Sequence, residues 1–217
     1  MKVVNLSTQP SVISDILAEL RNVNTQGNRR LFRQNIRRIG QCMAYELSKT
    51  LNYSPKEIQT PLASCQVSTC DDRLVIGTVM RAGLGLQEGF LDAFPGAESA
   101  FVAAYREEGS PQDIKIHLDY VASPQLDDCT FLLVDPMLAT GGSLVRAWEA
   151  YRRNGSPKHL HICCVVAAEQ GVKHLQEVFP SDDVTLWAAA IDPILNQHAY
   201  IVPGLGDCGD LCYGEKL

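Results

Sequence analysis

The stretch TFLLVDPMLATGGS, residues 130–143, joins five apolar or β-branched residues to an acid, a proline and a run of small residues. An apolar run of this length that does not alternate with polar residues reads as a strand buried on both faces. The continuation, GSLVRAWEAYRRNG (142–155), has helical spacing and stops at a glycine. A strand, a small-residue loop and a helix in direct succession form half of a parallel βαβ unit.

The same grammar repeats on either side. LVIGTVM (74–80), SAFVAAY (99–105), HICCVVAA (161–168) and VTLWAAAI (184–191) are further short apolar runs, and GLQEGFLDAFP (85–95) and QGVKHLQEVFP (170–180) are amphipathic helical segments among them. Alternation of this kind predicts an α/β fold: a Rossmann-like, mostly parallel sheet, flanked by helices through right-handed crossovers. Upstream, residues 11–22 and 28–51 have helical periodicity, while 57–70 read as extended up to the turn signal Asp71-Asp72. The 28–51 helix sets Phe32, Ile36, Ile39, Met43 and Leu47 on one side. Arg29, Arg30, Arg33, Arg37 and Arg38 fall on its other side, which reads as a solvated face or an oligomer contact. Beyond their helical pattern the first fifty residues carry little chemistry.

With 217 residues and 46% hydrophobic content, the chain is long enough to bury a sizeable core as one domain. A formal charge of −6 disfavours a general nucleic-acid binder, which needs a positive field. MKVVNLSTQP lacks the apolar run of a signal peptide and no stretch reaches membrane-spanning length, so a cytoplasmic protein without a membrane partner is expected. The eight cysteines then read as free thiols. Cys163 and Cys164, adjacent in an apolar run, should point to opposite faces of a strand, and Cys208, Cys212, His174 and His198 match no defensible zinc spacing.

Ligands of open α/β sheets bind beyond the carboxyl ends of the strands, so the residues that follow the apolar runs are the informative ones. After 130–134 come Asp135, Pro136, Met137, Leu138, Ala139, Thr140, Gly141, Gly142 and Ser143. Loop amides and the unpaired N–H groups of a helix start converge there into an anion cradle, to which Thr140 and Ser143 add hydroxyls and Asp135 a carboxylate. An ATP-type P-loop needs lysine where Gly142 stands. A plain turn accounts for the glycines but not for Asp135, Thr140 and Ser143; a phosphorylated sugar fits both charge and size, its phosphate on 139–143 and its ribose hydroxyls on Asp135. Arg81 and Arg106 each end an apolar run, where a guanidinium is best matched by an anion such as pyrophosphate. Gly204–Gly209, GLGDCG, spells the dinucleotide fingerprint, but only eight residues follow it and no crossover helix of ordinary length fits.

Together these segments resemble the type I phosphoribosyltransferases, specifically their uracil branch. VDPMLATGGS is similar to that family's phosphoribosyl-pyrophosphate loop, with Pro136 where the wider superfamily has a second acid. MRAGLG (80–85) and AYREE (104–108) resemble its two arginine segments, and HAYIVPGLGDCGD (198–210) its uracil-binding hood. The similarity runs from about Leu31 to Tyr213. It implies N-terminal helices at 11–51, a core at 74–191, a mobile β-arm at about 107–123 that covers the site, and a hood at 192–217. It also implies uracil and phosphoribosyl pyrophosphate as substrates, UMP and pyrophosphate as products, magnesium carried by the substrate with no metal held by the chain alone, and a homodimer or larger homo-oligomer.

By resemblance, the pyrophosphate substrate falls to Arg81, Arg106, residues 135–143 and Asp207, and uracil to Ile201, Gly206, Asp207 and Cys208, largely through backbone groups. Arg81, Arg106 and Asp207 are the catalytic candidates, with Asp207 either steering the magnesium-bound substrate or assisting at the base. The family usually has alanine where this chain has Cys208: a backbone contact there tolerates the thiol, whereas a thiol aimed at the base makes a tighter, oxidation-sensitive pocket. The glycines of Ala82-Gly83-Leu84-Gly85 serve either pyrophosphate or close helix packing. Two rivals remain on the same fold: a pyrimidine-nucleotide-sensing regulator, for which the arginine-rich helix would supply a basic surface, and a purine-specific transferase, against which Pro136 argues.

Overall fold

The computed structural model describes residues 1–106 and 116–215, with side chains described outside 104–119. The chain begins with β1 (Lys2–Asn5), α1 (Val12–Arg21) and α2 (Arg29–Ser48). A hairpin of β2 (Tyr53–Gln59) and β3 (Ser64–Cys70) leads to β4 (Leu74–Met80), α3 (Leu84–Ala93), β5 (Glu98–Arg106), β6 (Ile116–Ala122) and β7 (Thr130–Val134). Then come β8 (Met137–Leu138), α4 (Gly142–Tyr151), β9 (His159–Ala168), α5 (Glu169–Val178) and β10 (Val184–Asp192). The last elements are β11 (Ile194–Leu195), β12 (Ile201–Val202) and α6 (Cys208–Tyr213).

The main sheet has the order β1-β10-β9-β7-β4-β5-β6, with β8 beside β9. All pairings in it are parallel except that of β5 with the edge strand β6. From β4 the chain crosses outward to β5, and from β7 it crosses the other way to β9, so the topological switch point lies between the carboxyl ends of β4 and β7. Open α/β sheets bind ligands at such a crevice.

Alternation along each strand divides the core in two. Leu132, Val134 and Cys163 pack with α1, α2 and α3 on one face, and Phe131, Leu133 and Cys164 pack with α4 and α5 on the other. The two adjacent cysteines therefore do point in opposite directions. Phe32, Ile36, Ile39, Met43 and Leu47 of α2 are all 0–1% exposed. Each such buried side chain contributes about 1.5–3 kcal/mol. The helix is capped at its start by Asn28, whose side chain accepts from Leu31 N at 3.2 Å.

Three expectations change. Residues 57–70 are not one extended stretch but most of a hairpin that turns at Thr60, where Thr60 N donates to Ala63 O at 3.0 Å and the Thr60 hydroxyl accepts from Ala63 N. The arginine side of α2 is not simply solvated: Arg37 forms a fork on Asp92 of α3, with both bonds 2.6 Å, and Arg33 reaches Cys212 O at 2.6 Å. Strand β5 is not buried evenly on both faces; Ala100 and Val102 are buried in the core on the α4 side, while Ser99, Phe101 and Ala103 on the opposite face are half-buried and belong to neither core cluster. Of the expected β-arm, residues 107–115 lie outside the described residues, and 116–122 form β6.

Candidate active site

Beyond the carboxyl end of β7 the chain does not loop out at once. Asp135 N donates to Cys163 O at 3.1 Å, Pro136 O accepts from both Val165 N and Val166 N at 3.0 Å, and Met137 and Leu138 run beside Val166 and Ala167. This stitching to β9 carries Asp135, 8% exposed, into the crevice. Only then does the chain turn through Ala139 and Thr140 to Gly141, the N-cap of α4, which has a φ of +87°. A side chain there would be strained and would also crowd His174, with a Cβ 3.1 Å from the ring. With no capping side chain, the first-turn N–H groups of α4 are left without a side-chain partner, and the hydroxyl residues Thr140 and Ser143 flank them in the chain.

Sequence reading missed the wall of this loop. Helix α5 packs on it so closely that a Cβ at Gly171 would run into Ala139 O. A groove of about 460 Å³ lies between loop and helix, lined by Thr140, Gly142, Gln170, Lys173, His174 and Glu177. The available signal was positional: EQGVKH (169–174) follows directly from the carboxyl end of β9.

Arg81 follows β4 across a cis peptide from Met80. The neighbouring glycines are explained by packing. A Cβ on Gly83 would sit 2.8 Å from Val79 O and 3.0 Å from Val134 O, and one on Gly85 would touch Ile36 at 3.4 Å. Close packing is thus sufficient for both, without a pyrophosphate. Arg106 ends β5 with its backbone paired to Ile116, and its side chain is outside the described residues.

The hood begins where β10 ends. Strands β11 and β12 form a short antiparallel ribbon, Ile201 is buried at 4% exposure, and Gly206, with φ +89°, and Asp207 are exposed. Asp207 Oδ1 accepts from Asp210 N at 2.9 Å and so caps α6, a structural duty that sequence reading did not foresee. The Cys208 side chain turns inward: it is 2% exposed and its Sγ lies 4.0 Å from Cys212 Sγ.

Hood and crevice meet. A Cβ on Gly209 would lie 4.0 Å from Ala82 Cβ, and Arg81 Nη2 lies 3.6 Å from Asp210 Oδ1 and 3.5 Å from Gly214 O. The contact with Cys212, then burial, then the nearby charges that include Asp135 and Asp207 push the Cys208 thiol well above its ordinary range. One sulfur therefore feels both the acid of the β7 loop and the acid of the hood. Among the described residues no three His, Cys, Asp or Glu side chains are grouped to hold a metal; Cys208 and Cys212 adjoin, but His174 sits by Gly141 and His198 in the β11–β12 turn.

A family model described as uracil phosphoribosyltransferase matches residues 7–215. The uracil phosphoribosyltransferase of Porphyromonas gingivalis is 44% identical over 217 residues, covering 100% of both chains. Among solved structures, the AQ2163 protein from Aquifex aeolicus has a TM-score of 0.88 at 29% identity, covering 98% of each chain. A hypoxanthine phosphoribosyltransferase from Staphylococcus aureus, at 12% identity, TM-score 0.50 and 74% of each chain, shares the fold alone. The match runs without a break from the N-terminal helices through the sheet to the hood, and the chain belongs to the uracil phosphoribosyltransferase family.

Proposed function

We propose that the chain, acting as one cytoplasmic phosphoribosyltransferase domain, transfers the 5-phosphoribosyl group from phosphoribosyl pyrophosphate to uracil, giving UMP and pyrophosphate. The observation that carries this reading is the meeting of the glycine-rich hood with the Arg81–Ala82 turn after β4, at the switch point of the sheet where the neighbouring strand β7 runs into the Asp135–Ser143 loop. The 5-phosphate lies on the amides of Ala139, Thr140, Gly141, Gly142 and Ser143, and Asp135 accepts the ribose hydroxyls. Pro136, Met137 and Leu138 set that loop against β9. Uracil lies on the backbone of Ile201, Gly206, Asp207 and Cys208. A fixed backbone edge discriminates bases, because cytosine exchanges donor and acceptor at its 3,4 edge and leaves buried groups unpaired.

The base nitrogen attacks the anomeric carbon with inversion, through an oxocarbenium-like transition state, and negative charge grows on the departing pyrophosphate. Arg81 and Arg106 stabilise that charge with bidentate hydrogen bonds. Magnesium held by phosphates typically takes only one or two carboxylates from a protein, and Asp135, Asp207 and Asp210 are acids of this crevice that would serve. When bound with the substrate, the ion offsets phosphate charge, and Asp207, already fixed by capping α6, orients that substrate or assists at the base.

The regulator reading loses support, because Arg33 and Arg37, though exposed, are engaged by partners of the same chain, Cys212 O and Asp92. No helix among the described residues is long and apolar enough to cross a membrane, and all eight cysteines are free, in keeping with a reducing compartment. A homodimer or larger homo-oligomer belongs to the same reading; the exposed Tyr53, Ile58, Leu62 and Val67 of the β2–β3 hairpin offer a contact surface. Incubation of the protein with isotope-labelled phosphoribosyl pyrophosphate, magnesium and a panel of bases tests the reaction. Labelled UMP with uracil, and no product with cytosine, hypoxanthine or xanthine, is the expected result, and absence of UMP overturns it.

A further inference from the structure

The N-terminal helices, chemically silent by sequence, grip the backbone of the hood. Arg21, the last residue of α1, donates from Nη1 to Asp192 Oδ2 at 2.8 Å and from Nη2 to Asp192 Oδ1 at 2.9 Å. The same Nη1 donates to Gly204 O at 3.2 Å, and Asp192 Oδ2 accepts from Gly204 N at 2.8 Å. Both backbone polar groups of Gly204 are thus tied into one Arg21–Asp192 ring. Asp192 is 6% exposed, so this ring is largely shielded from water. Two more side chains act nearby: Gln26 Nε2 donates to Leu205 O at 3.3 Å, and Arg33 Nη1 donates to Cys212 O at 2.6 Å. The three grips bracket the exposed Gly206 and Asp207 on both sides.

We propose that Arg21, with Asp192, is a positioning residue for base recognition, and that Gln26 and Arg33 complete the clamp. This rests on the reading that the hood holds uracil. A base read by backbone groups needs that backbone held to within about 0.5 Å. The hood has little stiffness of its own, since it is built from two-residue strands and a six-residue helix. Gly204 has φ +58°, a conformation open to many alternatives once its polar groups are released. The β7 loop, by contrast, is stitched to β9 and walled by α5, whereas the hydrogen bonds of the clamp among the described residues join Arg21, Gln26 and Arg33 to Asp192, the end of α1 and the hood. Loss of the clamp therefore weakens uracil binding selectively.

The test is steady-state kinetics on the full chain with Arg21→Lys, Arg21→Met and Gln26→Leu. Lysine keeps the charge but cannot span both Asp192 oxygens and Gly204 O. Uracil KM is expected to rise about tenfold in Arg21→Met and less in Arg21→Lys and Gln26→Leu, while KM for phosphoribosyl pyrophosphate stays within about twofold. Arg73→Met, which breaks an Arg73–Glu98 pair far from the hood, serves as the control: it moves neither KM. If Arg21→Met fails to fold, the other two variants decide the matter. Uracil KM unchanged in the folded variants, or both KM values rising together, overturns the clamp. Wild-type protein that makes no UMP overturns the functional reading and the clamp with it; active wild type with unmoved variants overturns the clamp alone.

Discussion

The two edges of the parallel sheet treat their polar groups in opposite ways. At the amino edge they are partnered within the chain. Trp187 Nε1 donates to His161 Nδ1 at 3.1 Å, His159 Nε2 pairs with the Thr185 hydroxyl at 3.0 Å, and Arg73 is held by Glu98 at 2.6 Å and by the carbonyls of Gln125 and Asp127. A cavity of about 390 Å³ lies there, lined in part by Lys2, Asp72, Lys158 and His161, away from the strand ends where this fold class binds ligands. At the carboxyl edge, Arg81 has a 42% exposed side chain whose contacts among the described residues are long ones to Asp210 and Gly214, and the helix behind the β7 loop starts at a glycine that cannot cap it. Internal pairing at one end holds the sheet together; at the other, outside the Arg21–Asp192 ring, the looser pairing of Arg81 leaves donors for a ligand.

The sharpest way to break this comparison is to remove a carboxyl-edge arginine. Arg81→Ala or Arg106→Ala should cost about 3 kcal/mol of transition-state stabilisation, a loss of about 100- to 1000-fold in kcat/KM. The thermal midpoint should hardly move, because Arg81 is more than a third exposed and its pair with Asp210 is a surface one. Near-normal kinetics with a lowered midpoint would assign these arginines to the structural class found at the amino edge.

The amino edge makes the reverse prediction, in stability rather than rate. Burial, reinforced by neighbouring His159 and opposed by Asp72, pushes His161 down to about 3. The folded protein thus keeps His161 neutral, while the unfolded chain takes up a proton below about pH 6.5. The stability tied to a neutral His161 is full above that pH and falls as pH drops toward 3, by up to about 1.4 kcal/mol per unit. His161→Gln retains an acceptor for Trp187 without titrating. Its denaturation free energy should lie below that of wild type at pH 7.5, and the gap should close or invert by pH 4.5. An equal gap at both pH values means that His161 does not carry the effect.

Much of this contrast was legible in sequence, for a definite reason. Strands 74–80, 130–134, 161–168 and 184–191 were readable because burial on both faces leaves apolar runs too long for chance. Asp135–Ser143 stood out as a candidate because small residues between a buried strand and a helix are the pattern that bares amides to an anion, and an acid and two hydroxyls accompany them there. The hairpin was half missed because nearly all its residues are exposed, which removes the apolar alternation that marks a strand. The clamp was invisible on different grounds. Arg21 and Asp192 are 171 residues apart, and neither sits in a motif. An arginine at a helix end ordinarily signifies nothing more than a favourable charge at the C-terminal end of the dipole.

Cys208 offers the smallest effect and divides the hood itself. The residue has two sides: its backbone lies next to the exposed Gly206 and Asp207, while its thiol packs with Ile201, Leu205 and Cys212 in the core. Contact with Cys212 and burial keep it a neutral thiol, with little thiolate for an oxidant to attack. Cys208→Ala should therefore change uracil KM by less than about twofold, and the small cavity it leaves should cost about 1 kcal/mol of stability. In the native protein Cys208 should resist alkylation that readily labels the exposed Cys65. A tenfold rise in uracil KM would mean that the thiol faces the base. Set beside Arg21→Lys, the variant separates two ways of touching the hood: one changes an atom near the base and leaves the backbone in place, the other releases the backbone from a distance. If backbone groups read uracil, the distant change is the costlier of the two.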